Sequence, residues 1–328
     1  MLEHYLIPYG LFVAQTATLL FLVLVALLFF VKGLRAPSAR VGQVDLQPLD
    51  LQRDLYGSPW AVSVIGKQRS KAKRKALKAA SKEERPKGFV LSFHGDVKAS
   101  GAKKLAEEIN AILEIAEPGD TVVLKLESPG GSVAGYGLAA SHLERIKTRG
   151  IKLQVTVDKV AASGGYLMAV VADQIWATSF AVVGSIGVVA SMPNFKRLLD
   201  DKKVDFEQIT AGEYKRTLTL FGENTDQDRA KVQSEVDAIH NQFKGWVKKF
   251  RPELDLAQVA TGEWWQGEGA LELGLIDHLG TSDELLHTLS ETHRLYAVNW
   301  TAPKSKQGLV AKLLSPANAL LSGQSPLT

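Results

Sequence analysis

Between Gly88 and Thr178 the hydrophobic pattern changes period several times, and this alternation constrains the fold of the 328-residue chain more than any other feature. Short apolar runs read as strands at GFVLSF (88–93), TVVLKLES (121–128), IKLQVTV (151–157) and QIWAT (174–178). Between the first two lies a helical stretch, 101–120, with Leu105, Ile109, Ile112 and Leu113 at i, i+4, i+7 and i+8, ended by Pro118-Gly119. A second helix spans 132–150 and closes at Gly150; a third opens at Ser163. Strands that alternate with helices at this spacing predict an α/β domain with a largely parallel sheet. Further on, 224–254 reads as one long polar helix with Val232, Val236, Ile239, Phe243 and Val247 on a stripe. Such a stripe suits packing against the domain or against a neighbouring subunit. The chain has no internal repeat, and 308–321 in the tail is weakly amphipathic.

Two apolar stretches need opposite readings. Residues 10–31 run for 22 positions without a charge. At about 1.5 Å per residue that is roughly 33 Å, the thickness of a bilayer's hydrocarbon core. No Lys or Arg precedes the run and no A-x-A site follows it cleanly, so it reads as a retained transmembrane anchor rather than a cleaved leader. Residues 168–192 are also apolar, but they contain Asp173, Gly184 and Gly187 and break into helix, strand and turn. A charge in mid-span is costly, so this stretch is expected in the core of the α/β domain.

The net charge of +4 is uneven: residues 67–87 carry ten Lys/Arg and two Glu, a local +8, leaving the remainder near −4. A solvated linker or a tract attracted to anionic lipid headgroups explains it better than nucleic-acid binding, because no aromatic residues are interleaved with the charges. The chain has no cysteine, which excludes disulfides, thiol nucleophiles and thiolate metal sites. Its seven histidines show no metal-binding spacing, so neither a metal nor a cofactor is expected.

The chemistry concentrates in two strand-to-helix junctions. ESPGGSVAGYG (127–137) carries paired glycines that can turn backbone N–H groups into a cleft. About 30 residues on, AASGGY places Ser163 at the same kind of junction, where a hydroxyl points outward and the next N–H is available to an oxyanion. Ser163 is either a helix cap or a nucleophile. As a nucleophile it needs a base, and no local signature picks out a histidine with its carboxylate. A lysine can serve instead, because burial in an apolar cleft disfavours the ammonium form. Spacing alone does not say which lysine.

Four segments, ESPGGSVAGYG, DKVAASGGYLMAVVAD, VVGSIGVV and GEYKRTLTLF, followed by GEWWQGEGALELGLIDHLG (262–280), resemble the bacterial signal peptide peptidase A family, most closely its SohB-like branch. The resemblance covers roughly Gly88 to Leu289. It implies a ClpP/crotonase-like superhelix of βα units carrying one N-terminal transmembrane helix. It implies that Ser163 is the nucleophile, Lys215 the general base, Ser185 the hydroxyl that orients that lysine, and Gly131 and Gly164 the oxyanion-hole amides. The expected organisation is an N-terminal end (1–9), an anchor (10–31), a linker with the basic tract (32–87), a Ser-Lys peptidase domain (88–295) and a tail (296–328).

The function so implied is membrane-anchored serine endopeptidase activity on signal-peptide or other apolar membrane-derived peptides. Since the chain holds one copy of the domain, the resemblance implies a homo-oligomer in which each site draws its lysine from a neighbour. Its partners would be peptides and the bilayer, with no nucleic acid. Two rivals are an acyl-CoA enzyme on the crotonase fold, which would carry acid/base carboxylates in place of the Ser-Lys pair, and a catalytically silent membrane scaffold. The location implied is the bacterial inner membrane. Lys32, Arg35 and Arg40 after the anchor favour a cytoplasmic catalytic domain, whereas the family resemblance favours the periplasmic face, which is the side preferred here.

Overall fold

The computed structural model describes residues 15–24, 42–49 and 85–302. The described residues between Val44 and Thr301 form one compact unit, and the helical residues 15–24 belong to a second. Among the described residues no helix is long and apolar enough to cross a membrane. The expected anchor lies partly outside the described residues, as does most of the basic tract.

Among the described residues, seven strands form the main sheet: β1 (Gln43–Pro48), β2 (Lys87–His94), β3 (Thr121–Glu127), β4 (Lys152–Val157), β6 (Gln174–Ala177), β9 (His278–Leu279) and β10 (Arg294–Thr301). Their order is β1-β10-β2-β3-β4-β6-β9, and the pairings from β10 through to β9 are parallel. Three short strands, β5 (Val160–Ala162), β7 (Val182–Gly184) and β8 (Trp264–Gln266), make a second sheet. The described helices of this unit are α1 (Ala102–Ile115), α2 (Val133–Thr148), α3 (Gly164–Ala169), α4 (Lys196–Asp201), α5 (Asp226–Phe250), α6 (Leu256–Val259), α7 (Gly267–Glu272) and α8 (Ser282–Thr292).

The predicted strands are near-continuous hydrophobic runs because the parallel sheet is covered on both faces. Successive residues of β2 and β3 point to opposite faces. Leu91, Phe93, Leu124 and Leu126 join a large core with Leu105, Ile109 and Ile112 of α1 and Leu143 and Ile146 of α2. Val90 and Val123 pack with Leu285 and Leu286 of α8 and with Leu295. The apolar stretch 168–192 divides among α3, β6 and β7, and Met168, Val170, Val171 and Ile175 are fully buried in the large core. Of the α5 stripe, only Phe243 and Val247 are buried; Val232, Val236 and Ile239 are half-exposed.

The sheet takes in residues on both sides of the span 88–295. Strand β1 falls in the stretch read as linker, and β10 continues to Thr301. Strand β1 does not announce itself because only Val44 among its residues is half-buried, so it lacks an apolar run.

Candidate active site

Strand register brings the two glycine-rich junctions together. Ser128, just past β3, bridges to Ala161 of β5, and Ala162 of β5 pairs with Gly184 of β7. The residues that follow each strand therefore gather at one edge: Gly130 and Gly131 after β3, Ser163 after β5, Ser185 after β7. This is the carboxyl end of parallel strands, where open α/β sheets form their crevices. All four residues, with Gly164, line a cleft of about 1140 Å³.

The turn before Ser163 is held from below. Asp158 accepts bonds from Ser282 N–H (2.7 Å) and Oγ (2.6 Å), and its own carbonyl accepts from Thr178 Oγ1 (2.9 Å). Ser163 itself takes φ 52° and ψ −119°, a conformation costing a non-glycine residue on the order of 1–3 kcal/mol. Its N–H donates to Gly184 O at 2.8 Å, and its carbonyl accepts the Leu167 N–H at 2.9 Å. Ser163 occupies the N-cap position of α3, yet its side chain makes no capping bond. Ser163 is half-buried and lines the cleft, and its hydroxyl does not serve the helix. Ser185 also has φ 52°, with its N–H bonded to Glu263 O at 2.6 Å.

Both loops beside Ser163 are packed too closely for side chains. A Cβ on Gly130 would lie 2.7 Å from Ser163 Cβ and 2.8 Å from the Gly164 nitrogen. A Cβ on Gly131, whose φ is 154°, would lie 2.3 Å from Val97 O, and one on Gly164 would strike the Tyr136 ring at 2.4 Å. Among the described residues, the N–H groups of Gly131 and Gly164 have no acceptor. Gly164 opens α3, where the first N–H groups lack intrahelical partners. Both amides are therefore free to meet an anionic oxygen.

The walls are apolar. Val133, Ala134 and Gly137 come from α2, Leu167 from α3, and Ile239, Phe243 and Trp246 from α5. Trp246 is anchored by its indole N–H to Leu167 O at 3.1 Å. His240 also lines the cleft, with Nε2 3.1 Å from Ile186 O, next to Ser185. Sequence reading passed over His240 because it showed no metal spacing; its place beside Ile239 on the α5 stripe was the available signal. Ser128 and Tyr136 stood inside the quoted glycine motif but were not singled out.

Lys215 is placed apart from these residues. It does not line the cleft and is exposed in the irregular segment between α4 and α5, with its N–H bonded to Gly212 O at 3.1 Å. The same region exposes Phe195, Leu198, Phe206, Ile209, Tyr214 and Phe221. Within one chain the structure thus brings together Ser163, Ser185, Gly131 and Gly164, but not Lys215.

Comparison with known proteins agrees with this architecture. Residues 4–143 match the family described as Peptidase family S49 N-terminal, and residues 145–295 match Peptidase family S49. The chain is 42% identical over 327 residues to a "Probable protease SohB" of Haemophilus influenzae, covering 93% of this chain and 92% of that protein. It is 40% identical over 300 residues to a "Probable protease SohB" of Buchnera aphidicola subsp. Schlechtendalia chinensis, covering 86% of this chain and 98% of that one. A "Putative signal peptide peptidase SppA" of Enterococcus faecium is 29% identical over 177 residues, 53% of this chain and 51% of its own. The α/β unit with its multi-stranded sheet fits the family as well, and the chain belongs to peptidase family S49.

Proposed function

We propose that this peptidase is a membrane-anchored serine endopeptidase working through a Ser163–Lys215 dyad. One observation carries the reading: Ser163 stands strained at a strand end, its Oγ free of capping duty, beside two unpartnered amides in an apolar cleft. Ser163 Oγ attacks the scissile carbonyl while the neutral Lys215 amine takes the hydroxyl proton. The Gly131 and Gly164 N–H groups hold the oxyanion. Collapse breaks the C–N bond, the lysine proton passes to the leaving amine, and an ester to Ser163 remains. Water then attacks the ester, with the lysine again taking and returning the proton. Ser185 orients the lysine.

Because Lys215 lies outside the cleft of its own chain, the base comes from a neighbouring subunit. The exposed apolar side chains around it, Phe206, Ile209, Tyr214 and Phe221 among them, suit burial between copies. In such an interface the ammonium loses hydration, which favours the neutral amine the reaction needs. The apolar walls suit extended apolar peptides, such as signal-peptide or membrane-derived segments. The uncharged run 10–31 anchors the protein in the bacterial inner membrane, with the catalytic unit that follows it on the periplasmic face. The described residues of that run are helical and expose Leu19 through Leu24.

The acyl-CoA rival would carry acid/base carboxylates in place of the Ser-Lys pair, and among the described residues no Asp or Glu lines the cleft. One observation favours a different base: His240, unlike Lys215, lines the cleft of the same chain. The deciding experiment is peptide hydrolysis in detergent, together with covalent labelling by a fluorophosphonate. Wild type is expected to turn over and label at Ser163, and Ser163→Ala and Lys215→Met to do neither. Turnover by Ser163→Ala would overturn the assignment; loss in His240→Gln with retention in Lys215→Met would transfer the base role to His240.

A further inference from the structure

The two amides assigned to the oxyanion lie on different loops, one after β3 and one after β5. Their separation must be held to a few tenths of an ångström for both to bond one oxygen. A single side chain touches both supports. Tyr136, on the first turns of α2, is fully buried and packed against Gly164, close enough that a Cβ there would lie 2.4 Å from the ring.

The hydroxyl of the same residue ends in the other loop. Tyr136 Oη donates to Asp96 O at 2.9 Å and lies 2.7 Å from Ser128 Oγ. With the Tyr136 proton on Asp96 O, the Ser128 hydroxyl donates to Tyr136, and Ser128 Oγ in turn accepts the Gly130 N–H at 3.1 Å. The chain of bonds thus runs from Asp96 through Tyr136 and Ser128 to the Pro129–Gly130 peptide unit, one before the unit that carries the Gly131 N–H. Burial raises the affinity of the Tyr136 oxygen for its proton above the ordinary value, so the phenol stays a donor across the working pH range. The neighbouring loop is tied in as well, since Ser132 N–H donates to Val97 O at 2.7 Å. No room is left for slack: a Cβ on Gly95 would lie 2.1 Å from Ser128 Oγ and 2.3 Å from Tyr136 Oη.

We infer that Tyr136, acting through Ser128, is the positioning residue that sets the distance between the Gly131 and Gly164 amides. The inference rests on the peptidase reading given above. Its ring supports one donor and its hydroxyl orients the peptide next to the other, so the two loops move as one. Removing the hydroxyl leaves the ring in place and loosens only the Gly130–Gly131 side.

The test compares wild type, Tyr136→Phe, Ser128→Ala and the double variant, each quantified by fluorophosphonate titration so that only folded sites are counted. Tyr136→Phe is expected to lower kcat per titrated site about tenfold with KM within twofold, because the oxyanion is bound only in the transition state. Ser128→Ala should do much the same, and the double variant should cost little more than either, since both act through one chain of bonds. Amide hydrogen exchange of the segment 128–132 should quicken in Tyr136→Phe while that of β2 and β4 does not. An unchanged kcat per site, or additive losses, would overturn the inference. Faster exchange at 128–132 in a protein that hydrolyses no peptide would uphold the positioning role and sink the peptidase reading instead. Unchanged exchange with wild-type turnover intact would sink the positioning role alone.

Discussion

Gly130 and Ser163 lie so close that a Cβ on the glycine would sit 2.7 Å from the serine Cβ and 2.8 Å from the Gly164 nitrogen. Real Cβ atoms do not approach this near, and the φ of 91° at Gly130 adds strain for any other residue. Gly130→Ala must therefore push the β3 loop away from Ser163. The expected outcome is about a hundredfold loss of kcat/KM, the size of losing one oxyanion donor. Fluorophosphonate labelling should slow in step. Wild-type rates in a folded Gly130→Ala protein would contradict the assignment of this edge as the active site.

Complementation tests the shared site. Ser163→Ala and Lys215→Met are each expected to be inactive, while co-expressing them should regenerate sites that take serine from one subunit and lysine from the other. Random mixing in a closed ring restores activity to about a quarter of the wild-type level. Recovery near zero would place the base within the same chain.

Gly137 invites a prediction about specificity. It sits inside α2, has no positive φ, and a Cβ there would meet nothing within 4 Å. A glycine in a helix costs roughly 1 kcal/mol relative to alanine, and nothing in the packing requires it. It does line the cleft, where its missing side chain leaves room for substrate. Gly137→Ala should raise the melting temperature slightly. Gly137→Leu should lower kcat/KM for peptides with large apolar side chains more than for those with alanine, and an unchanged ratio would remove Gly137 from the substrate wall.

Acid stability should depend on Asp277. Burial alone would raise this carboxyl, but bonds from Arg251 (2.6 and 2.7 Å) and the Ile175 N–H (2.7 Å) outweigh it and hold the group below its ordinary 3.8. A carboxyl that is more acidic folded than unfolded contributes stability in full above the unfolded value and loses it as pH falls through the folded one. Wild type should therefore weaken below about pH 4. Asp277→Asn strands a mostly buried guanidinium and should cost about 3 kcal/mol at neutral pH. It should also flatten the acid limb of a denaturation series against pH; an acid limb as steep as wild type would rule out this pair as its origin.

Much of the fold was legible because its strands carry both-face burial in their own residues. Leu91, Val123 and Leu124 announce a covered parallel sheet wherever they are read, and Leu105, Ile109 and Ile112 announce the helix above it. Strand β1 was not legible, since it is an edge strand with almost no buried side chain. The long α5 stripe was visible but its use was not: only its C-terminal part is buried, and Ile239 and Phe243 line the cleft wall.

At the site, local sequence determined what local chemistry can state: small residues at two strand ends, a serine between alanines and glycines, and a backbone able to offer free amides. Three-dimensional pairing decided the rest. Ser128 meets Ala161 and Ala162 meets Gly184 only through register, which depends on every strand of the sheet at once. The same long-range packing gave Tyr136 its two contacts and left Lys215 outside the cleft of its own chain. Torsional preference and side-chain size travel with the residue, but distance between residues far apart in sequence is a property of the packed whole.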